Sequence, residues 1–283
     1  MMYKFLKIND ATYSYTIQGE GETLVLLHGF TGSSMTWEDC VKKWARHFKV
    51  ITIDLPGHGK TATKSLRTME AFCEDLKTLL ITMNIESAHI LGYSMGGRTA
   101  LTFALLYPEM VRSLILESAS PGLKTKEEQE KRMETDALLA EQIMVNGVLD
   151  FVYYWENIPL FKSQKQLPAK VREKIRTERL SHRPEGLAES LLFMGTGRQK
   201  SNWGQLPDLN KPVLLIVGEV DQKFVSINEK MKNKFPQAKL EIVKKAGHAV
   251  HVEQVEKFVK IVREFIKEKN YIKEGAIHDS SME

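Results

Sequence analysis

A serine stands between two glycines in Gly92-Tyr93-Ser94-Met95-Gly96, the pattern G-x-S-x-G. Where such a pentapeptide joins a strand to a helix, the glycines let the chain turn sharply and hold the serine hydroxyl out at the edge of a sheet. The helix behind it supplies a free backbone N–H and the positive end of a dipole. A serine hydroxyl is a poor nucleophile or base until an imidazole takes its proton. Of eight histidines, only His182, His248, His251 and His278 follow the serine, and the chain order of such sites is serine, acid, histidine. His248, in Ala246-Gly247-His248 just beyond an apolar run at 240–243, is the expected base, with His251 the alternative. The acid that orients the imidazole belongs on a turn after a strand. Asp221 meets that condition after the run 213–217, while Glu219 and Glu117 are the competing carboxylates.

A second turn, His28-Gly29-Phe30, follows the run 24–27. The N–H groups of Phe30 and Met95 are the expected donors to a developing oxyanion. Asp54-Leu55-Pro56-Gly57-His58-Gly59 reads as a turn scaffold in which His58 is a structural hydrogen-bonding residue. The pentapeptide alone could arise in any glycine-containing loop. Its weight comes from the strand before it, the helix after it and partners that fall on one edge of a sheet, where open parallel sheets bind ligands.

The elements that must position these turns follow from the hydrophobic pattern. Short apolar runs at 24–27, 50–53, 89–91, 114–116, 213–217 and 240–243 alternate with helical stretches at 37–48, 69–83, 95–106, 227–235 and 255–266. That alternation predicts a mostly parallel, twisted α/β sheet flanked by helices. Segments 3–8 and 11–17 flank Asn9-Asp10 and predict a hairpin. Between Pro121 and Leu206 the strand pattern stops, and helices are expected at 126–145, 148–155, 168–179 and 184–194. The predicted organisation is a core of residues 1–121 and 206–270, a helical cap of 122–205 and a polar tail of 271–283.

Composition excludes several classes. The chain has 283 residues, 42% hydrophobic and 27% charged, which is ordinary for a globular protein. Its apolar runs are too short to span a bilayer, and the N-terminus lacks the apolar core of a secretory signal. Cys40 and Cys73 are isolated, fitting a reducing cytoplasm. A net charge of +4, from 40 basic and 36 acidic residues, is too mild for nucleic acid. It suits a small anionic substrate if focused in a cleft. No metal-ligand cluster or cofactor loop is visible, so no cofactor and no metal are expected.

With these residues in view, the core resembles the α/β-hydrolase superfamily. More narrowly, from about Leu24 to Phe258, the chain resembles the 2-succinyl-6-hydroxy-2,4-cyclohexadiene-1-carboxylate synthases, lyases of menaquinone biosynthesis. The resemblance is carried by Leu27 to Ser33 (LHGFTGS), Gly92 to Arg98 (GYSMGGR), Glu117 to Leu123 (ESASPGL), Gly195-Thr196-Gly197, and Gly218-Glu219 with Asp221 and Lys223-Phe224. It implies that Ser94, polarised by His248, removes a proton from 2-succinyl-5-enolpyruvyl-6-hydroxy-3-cyclohexene-1-carboxylate, after which pyruvate is eliminated. It further implies that Arg98, Arg132 and Arg179 bind substrate carboxylates and that Tyr93 and Trp155 line the cleft. Arginine suits that task because its planar fork pairs bidentately with a carboxylate. From the residues alone, Arg98 sits one turn into the serine's helix, whereas most of the eight basic residues between 162 and 183 would ordinarily form a solvated face. Trp155 could equally be packing inside the cap. Lys60-Thr61 and Val255 depart from the family pattern and touch only fine substrate range. The competing readings are a carboxylesterase or C–C bond hydrolase with the same triad, and a non-catalytic binding module.

Overall fold

The computed structural model describes residues 2–279, with side chains described from Met2 to Glu268. Its sheet is ordered, by residue range, 3–8, 11–18, 49–53, 23–27, 88–93, 111–117, 213–218 and 238–243. The hairpin β1 (Tyr3–Ile8) and β2 (Ala11–Gln18) is antiparallel and turns at Asn9, whose φ is +56°. Strand β2 also runs antiparallel to β4 (Lys49–Ile53). From there β3 (Thr23–Leu27), β6 (Ala88–Tyr93), β7 (Val111–Glu117), β8 (Val213–Gly218) and β9 (Ala238–Val243) continue the sheet in parallel. The two-residue β5 (Ala62–Thr63), beside β2, was not expected from the pattern.

The central strands are apolar on both faces, and because adjacent residues point to opposite sides each strand contributes to two layers. Val25, Leu27, Ile51, Ile90, Leu114 and Val213 face a layer built on α2 (Met69–Thr82) and α3 (Met95–Leu106). Leu24, Leu26, Val50, Leu91, Ile115 and Leu214 face Trp37, Trp44, Phe258 and Val262 on the other side. Trp37 closes the 3-10 turn before α1 (Glu38–Trp44), Trp44 ends α1, and Phe258 and Val262 belong to α9 (Val255–Asp279), which follows the short α8 (Val250–Glu253).

Some boundaries differ from expectation for identifiable reasons. The first helix begins earlier, with a 3-10 turn at Ser34–Trp37, because Ser33 and Thr36 form a reciprocal capping box. Helix α7 (Gln222–Lys232) starts five residues sooner than the apolar spacing suggests, because the Asp221 carboxylate accepts the Phe224 N–H at 3.4 Å. Helix α9 runs past residue 266 to Asp279. Residues 280–283 of the expected polar tail lie outside the described residues.

Between β7 and β8 the chain forms α4 (Lys126–Trp155), a 3-10 segment Pro159–Gln166, α5 (Ala169–Leu180) and α6 (Pro184–Met194). Helix α4 is broken at Gly147, where φ is +82°, so it behaves as the two expected helices. Ile143, Phe151, Val152, Leu187 and Leu191 give these helices a small core of their own, and Phe30 packs against it from the sheet edge.

Candidate active site

Ser94 follows β6 and caps α3 with φ +51° and ψ −107°, a strained conformation for a non-glycine residue. The turn is possible because glycines stand two residues away on either side. A Cβ at Gly92 would fall 2.1 Å from Gly96 O, and one at Gly96 would fall 2.1 Å from Leu27 O. The same closeness sets the His28-Gly29-Phe30 turn beside the elbow, since Leu27 of β3 is in register with Gly92 of β6.

His248 Nε2 lies 3.1 Å from Ser94 Oγ, and His248 Nδ1 lies 2.6 Å from Asp221 Oδ2. The carboxylate accepts at Nδ1, so that nitrogen carries the proton and Nε2 is left to accept from the serine. His248 is buried and Ser94 is half-buried. The histidine loop is itself held. Glu253 accepts Gly247 N–H at 2.7 Å and Ala249 N–H at 3.4 Å, on either side of the ring, and Ser163 Oγ at 3.1 Å. Burial pushes the Glu253 carboxyl up, against those hydrogen bonds.

The competing residues have other partners. His251 Nδ1 lies 2.8 Å from Glu117 Oε2 and its backbone N–H donates to Glu117 Oε1 at 2.9 Å. Glu219 Oε2 accepts Lys245 N–H at 3.2 Å. Met95 N–H is the first of α3 and has no acceptor within the helix. The Gly29 carbonyl accepts Gly32 N–H at 3.0 Å, which turns the Phe30 N–H of the same trans peptide the opposite way.

The five residues expected around the substrate fall into two groups. Arg98 is buried, with Nη1 3.1 Å from Gln199 Oε1 and Nη2 3.0 Å from Met194 O. Burial, with Arg132 nearby, lowers its pKa to about 9. Arg132 is partly exposed and donates from Nε to Asp136 Oδ1 at 2.8 Å. Burial holds the Asp136 carboxyl above the usual range despite that arginine. Arg179 keeps different company. It stacks 4.7 Å over the Phe161 ring, donates to Gln164 Oε1 at 3.3 Å, and is pushed down by burial.

Arg179 shares a cavity of about 110 Å³ with Phe30, Tyr93, Phe161, Gln164 and Glu178. The buried Tyr93 ring meets His248 at 5.4 Å and His251 at 4.6 Å. Trp155 packs edge-on against Phe30 at 5.4 Å and against Phe161 at 5.8 Å. Phe161 in turn meets His248 at 6.2 Å. Gln199, Asp136, Phe161 and Glu253 were not anticipated. A glutamine two residues past Gly195-Thr196-Gly197 carries no sequence signal that would single it out. Asp136 Oδ2, Gln199 Nε2 and Trp155 Nε1 are buried polar atoms without a hydrogen-bond partner among the described residues.

A parallel sheet with a serine elbow at its carboxyl edge, a histidine after the last strand and helices inserted before β8 defines the α/β-hydrolase class, and the alpha/beta hydrolase fold family matches residues 22–255. A Bacillus subtilis protein provisionally named 2-succinyl-6-hydroxy-2,4-cyclohexadiene-1-carboxylate synthase is 44% identical over 260 residues, covering 89% of this chain and 94% of that protein. The synthase of that name from Enterobacter sp. (strain 638) is 30% identical over 237 residues, covering 81% and 86%. The solved structure of MenH from S. aureus superposes with a TM-score of 0.87 at 36% identity, covering 91% of this chain and 98% of that one. The chain therefore belongs to the alpha/beta hydrolase fold family and, within it, to the 2-succinyl-6-hydroxy-2,4-cyclohexadiene-1-carboxylate synthase branch.

Proposed function

We propose that the chain is a carbon–oxygen lyase that converts 2-succinyl-5-enolpyruvyl-6-hydroxy-3-cyclohexene-1-carboxylate to 2-succinyl-6-hydroxy-2,4-cyclohexadiene-1-carboxylate and pyruvate in menaquinone biosynthesis. The observation that carries the chemistry is the Asp221–His248–Ser94 array, 2.6 and 3.1 Å in its two contacts. Asp221 holds His248 in the tautomer whose Nε2 accepts, and His248 takes the Ser94 proton. The resulting alkoxide removes the proton at ring carbon 2, which is acidic because it lies next to the succinyl ketone. Electrons move into a bond between carbons 2 and 3, the original 3,4 double bond shifts to 4,5, and the carbon 5–oxygen bond breaks. The enolpyruvyl group leaves as an enolate, the proton held on His248 goes to it so that pyruvate forms, and His248 returns to neutral beside a reprotonated Ser94. The N–H groups of Phe30 and Met95 stabilise the charge that develops on the ketone oxygen. The same alkoxide could attack a carbonyl carbon; placement of the substrate decides which reaction occurs.

Placement falls to the arginines. Arg98 is a buried cation whose hydrogen bonds go to two neutral acceptors, Met194 O and Gln199 Oε1. A buried charge is costly unless paired; nearby Asp136 offsets part of that cost without a hydrogen bond to Arg98, and a substrate carboxylate supplies a directly bonded partner. Arg132 and Arg179 take further carboxylates, while Tyr93 and Trp155 shape the cleft between them. A cytoplasmic location fits two buried, unpaired thiols, Cys40 and Cys73. The test is pyruvate release from freshly generated substrate, followed against the spontaneous rate. Acceleration supports the lyase. No acceleration, together with turnover of model esters, would move the chain to the hydrolases.

A further inference from the structure

Three histidines outside the triad surround the loop that carries the Phe30 N–H. The ring centroids of His28 and His58 are 5.1 Å apart and those of His58 and His182 are 5.2 Å apart. The row begins at the sheet edge and ends between α5 and α6, where His182 sits; all three rings are buried.

Every ring nitrogen in the row meets a backbone group. His28 Nδ1 lies 2.8 Å from Gly29 O, and its Nε2 lies 2.9 Å from Leu55 N. His58 Nδ1 lies 3.0 Å from Pro56 O, and its Nε2 lies 3.2 Å from Thr31 N. His182 Nε2 lies 3.0 Å from Thr31 O, and its Nδ1 lies 3.4 Å from Gly59 N. A carbonyl can only accept and an amide N–H can only donate, so each ring holds one proton at a fixed nitrogen and is neutral. Burial acts in the same direction, lowering the His28 pKa to about 4 and pushing His58 and His182 below the usual imidazole range. Asp54 opposes it at His28 and His182.

These bonds grip the peptide that matters for charge stabilisation. The Gly29 carbonyl and the Phe30 N–H belong to one planar unit. His28 Nδ1–H and Gly32 N–H on the carbonyl therefore fix the direction of the Phe30 N–H. The following residue is held at both of its polar groups, Thr31 N–H by His58 and Thr31 O by His182. Thr31 has φ +68°, where a β-branched residue stays only when its surroundings hold it. One of the two imidazoles that hold it comes from the helical insertion.

We propose that His28, His58 and His182 are positioning residues, a row of neutral imidazoles that fixes the Gly29–Phe30 peptide as an oxyanion donor and makes its alignment depend on the helical segment being docked. The inference rests on the oxyanion role proposed above for Phe30. Simple ring packing is the competing explanation, and it separates cleanly. His182→Phe keeps a ring without nitrogens, whereas His182→Gln keeps a donor where Nε2 stands.

The experiment compares the native enzyme with His182→Phe, His182→Gln and His58→Phe. It measures kcat and KM for pyruvate release, the rate at which diisopropyl fluorophosphate phosphorylates Ser94, and Tm. The phosphoryl oxygen of that reagent occupies the oxyanion site, so its rate reports the donor without the lyase substrate. Both phenylalanine variants are expected to lose at least about tenfold in kcat and in phosphorylation rate, with KM within about threefold. His182→Gln recovers most of both. Folded His182→Phe with kcat and phosphorylation rate within about twofold of native overturns the proposal, as does equal impairment of His182→Phe and His182→Gln. If His58→Phe does not fold, the two His182 variants decide. Native protein that is phosphorylated at Ser94 but releases no pyruvate refutes the lyase reading, and the imidazole row is then judged on phosphorylation rates.

Discussion

Glu117 and His251 pair with one another, His251 Nδ1 lying 2.8 Å from Glu117 Oε2 with both side chains buried. The Tyr93 ring touches this pair through His251 and the Ser94 array through His248. Two histidine–carboxylate pairs thus flank one tyrosine, but only His248 also reaches the serine. Glu117→Ala would leave the His251 ring and backbone N–H groups buried without an acceptor. We expect a loss of about 3 kcal/mol in stability, with kcat of the folded protein within about threefold of native. Asp221→Asn should do the reverse, losing at least about a thousandfold in kcat with little change in Tm. Chemical denaturation and steady-state kinetics on both variants check the assignment, and a thousandfold loss from Glu117→Ala would transfer the acid's role to Glu117.

Ser94→Ala and His248→Ala remove the proposed base and its proposed activator. Each should lower kcat by about a thousandfold or more, and the double variant should lose little beyond either one, because the two act as a unit. Circular dichroism of all three should match the native protein. Additive losses would mean that the residues act independently.

Arg98→Ala tests the anion site. A charge-assisted hydrogen bond to a carboxylate contributes about 1.5–3 kcal/mol, so kcat/KM should fall by about 10- to 100-fold. Arg98→Lys should not restore it, since a compact ammonium on a shorter stem cannot span Met194 O and Gln199 Oε1, which two separate guanidinium nitrogens reach, and offers no planar fork to a carboxylate. Unchanged kinetics in Arg98→Ala would refute the polyanion reading.

The buried imidazoles make an acid limit on stability. The His28 pKa falls from 6.5 in an unfolded chain to about 4 in the folded protein. Between those values the unfolded state binds the extra proton, so stability rises with pH across that window and is lost as pH falls through it. The full loss for this one ring is about 3 kcal/mol. His58 and His182 shift the same way. Urea midpoints measured from pH 7 down to pH 5 should fall in the native protein and fall less steeply in His182→Gln. A midpoint independent of pH in this range would mean that the rings are not neutral in the folded state.

The sequence by itself determined the parallel sheet, because both-face burial demands apolar runs and crossover helices demand amphipathic spacing between them. It also determined the serine elbow, since only glycine tolerates the contacts that Gly92 and Gly96 make. Helices α3 and α6 were legible to the residue because a serine and a proline mark their starts. Helix α7 was not, because its true start is set by the Asp221 carboxylate rather than by the apolar stripe. Partner choice was decided in three dimensions. In chain order, Glu117 and Asp221 were both acids after strands, and His248 and His251 stood three residues apart. The different directions in which β7, the turn after β8 and the loop after β9 present those side chains put one pair within reach of Ser94 and closed the other on itself. The roles of Gln199, Glu253 and His182 were likewise invisible along the chain. Each depends on which groups the fold brings within hydrogen-bond reach, Arg98 for Gln199, the Gly247 and Ala249 N–H groups for Glu253 and the Thr31 carbonyl for His182, and residue type and spacing do not encode that.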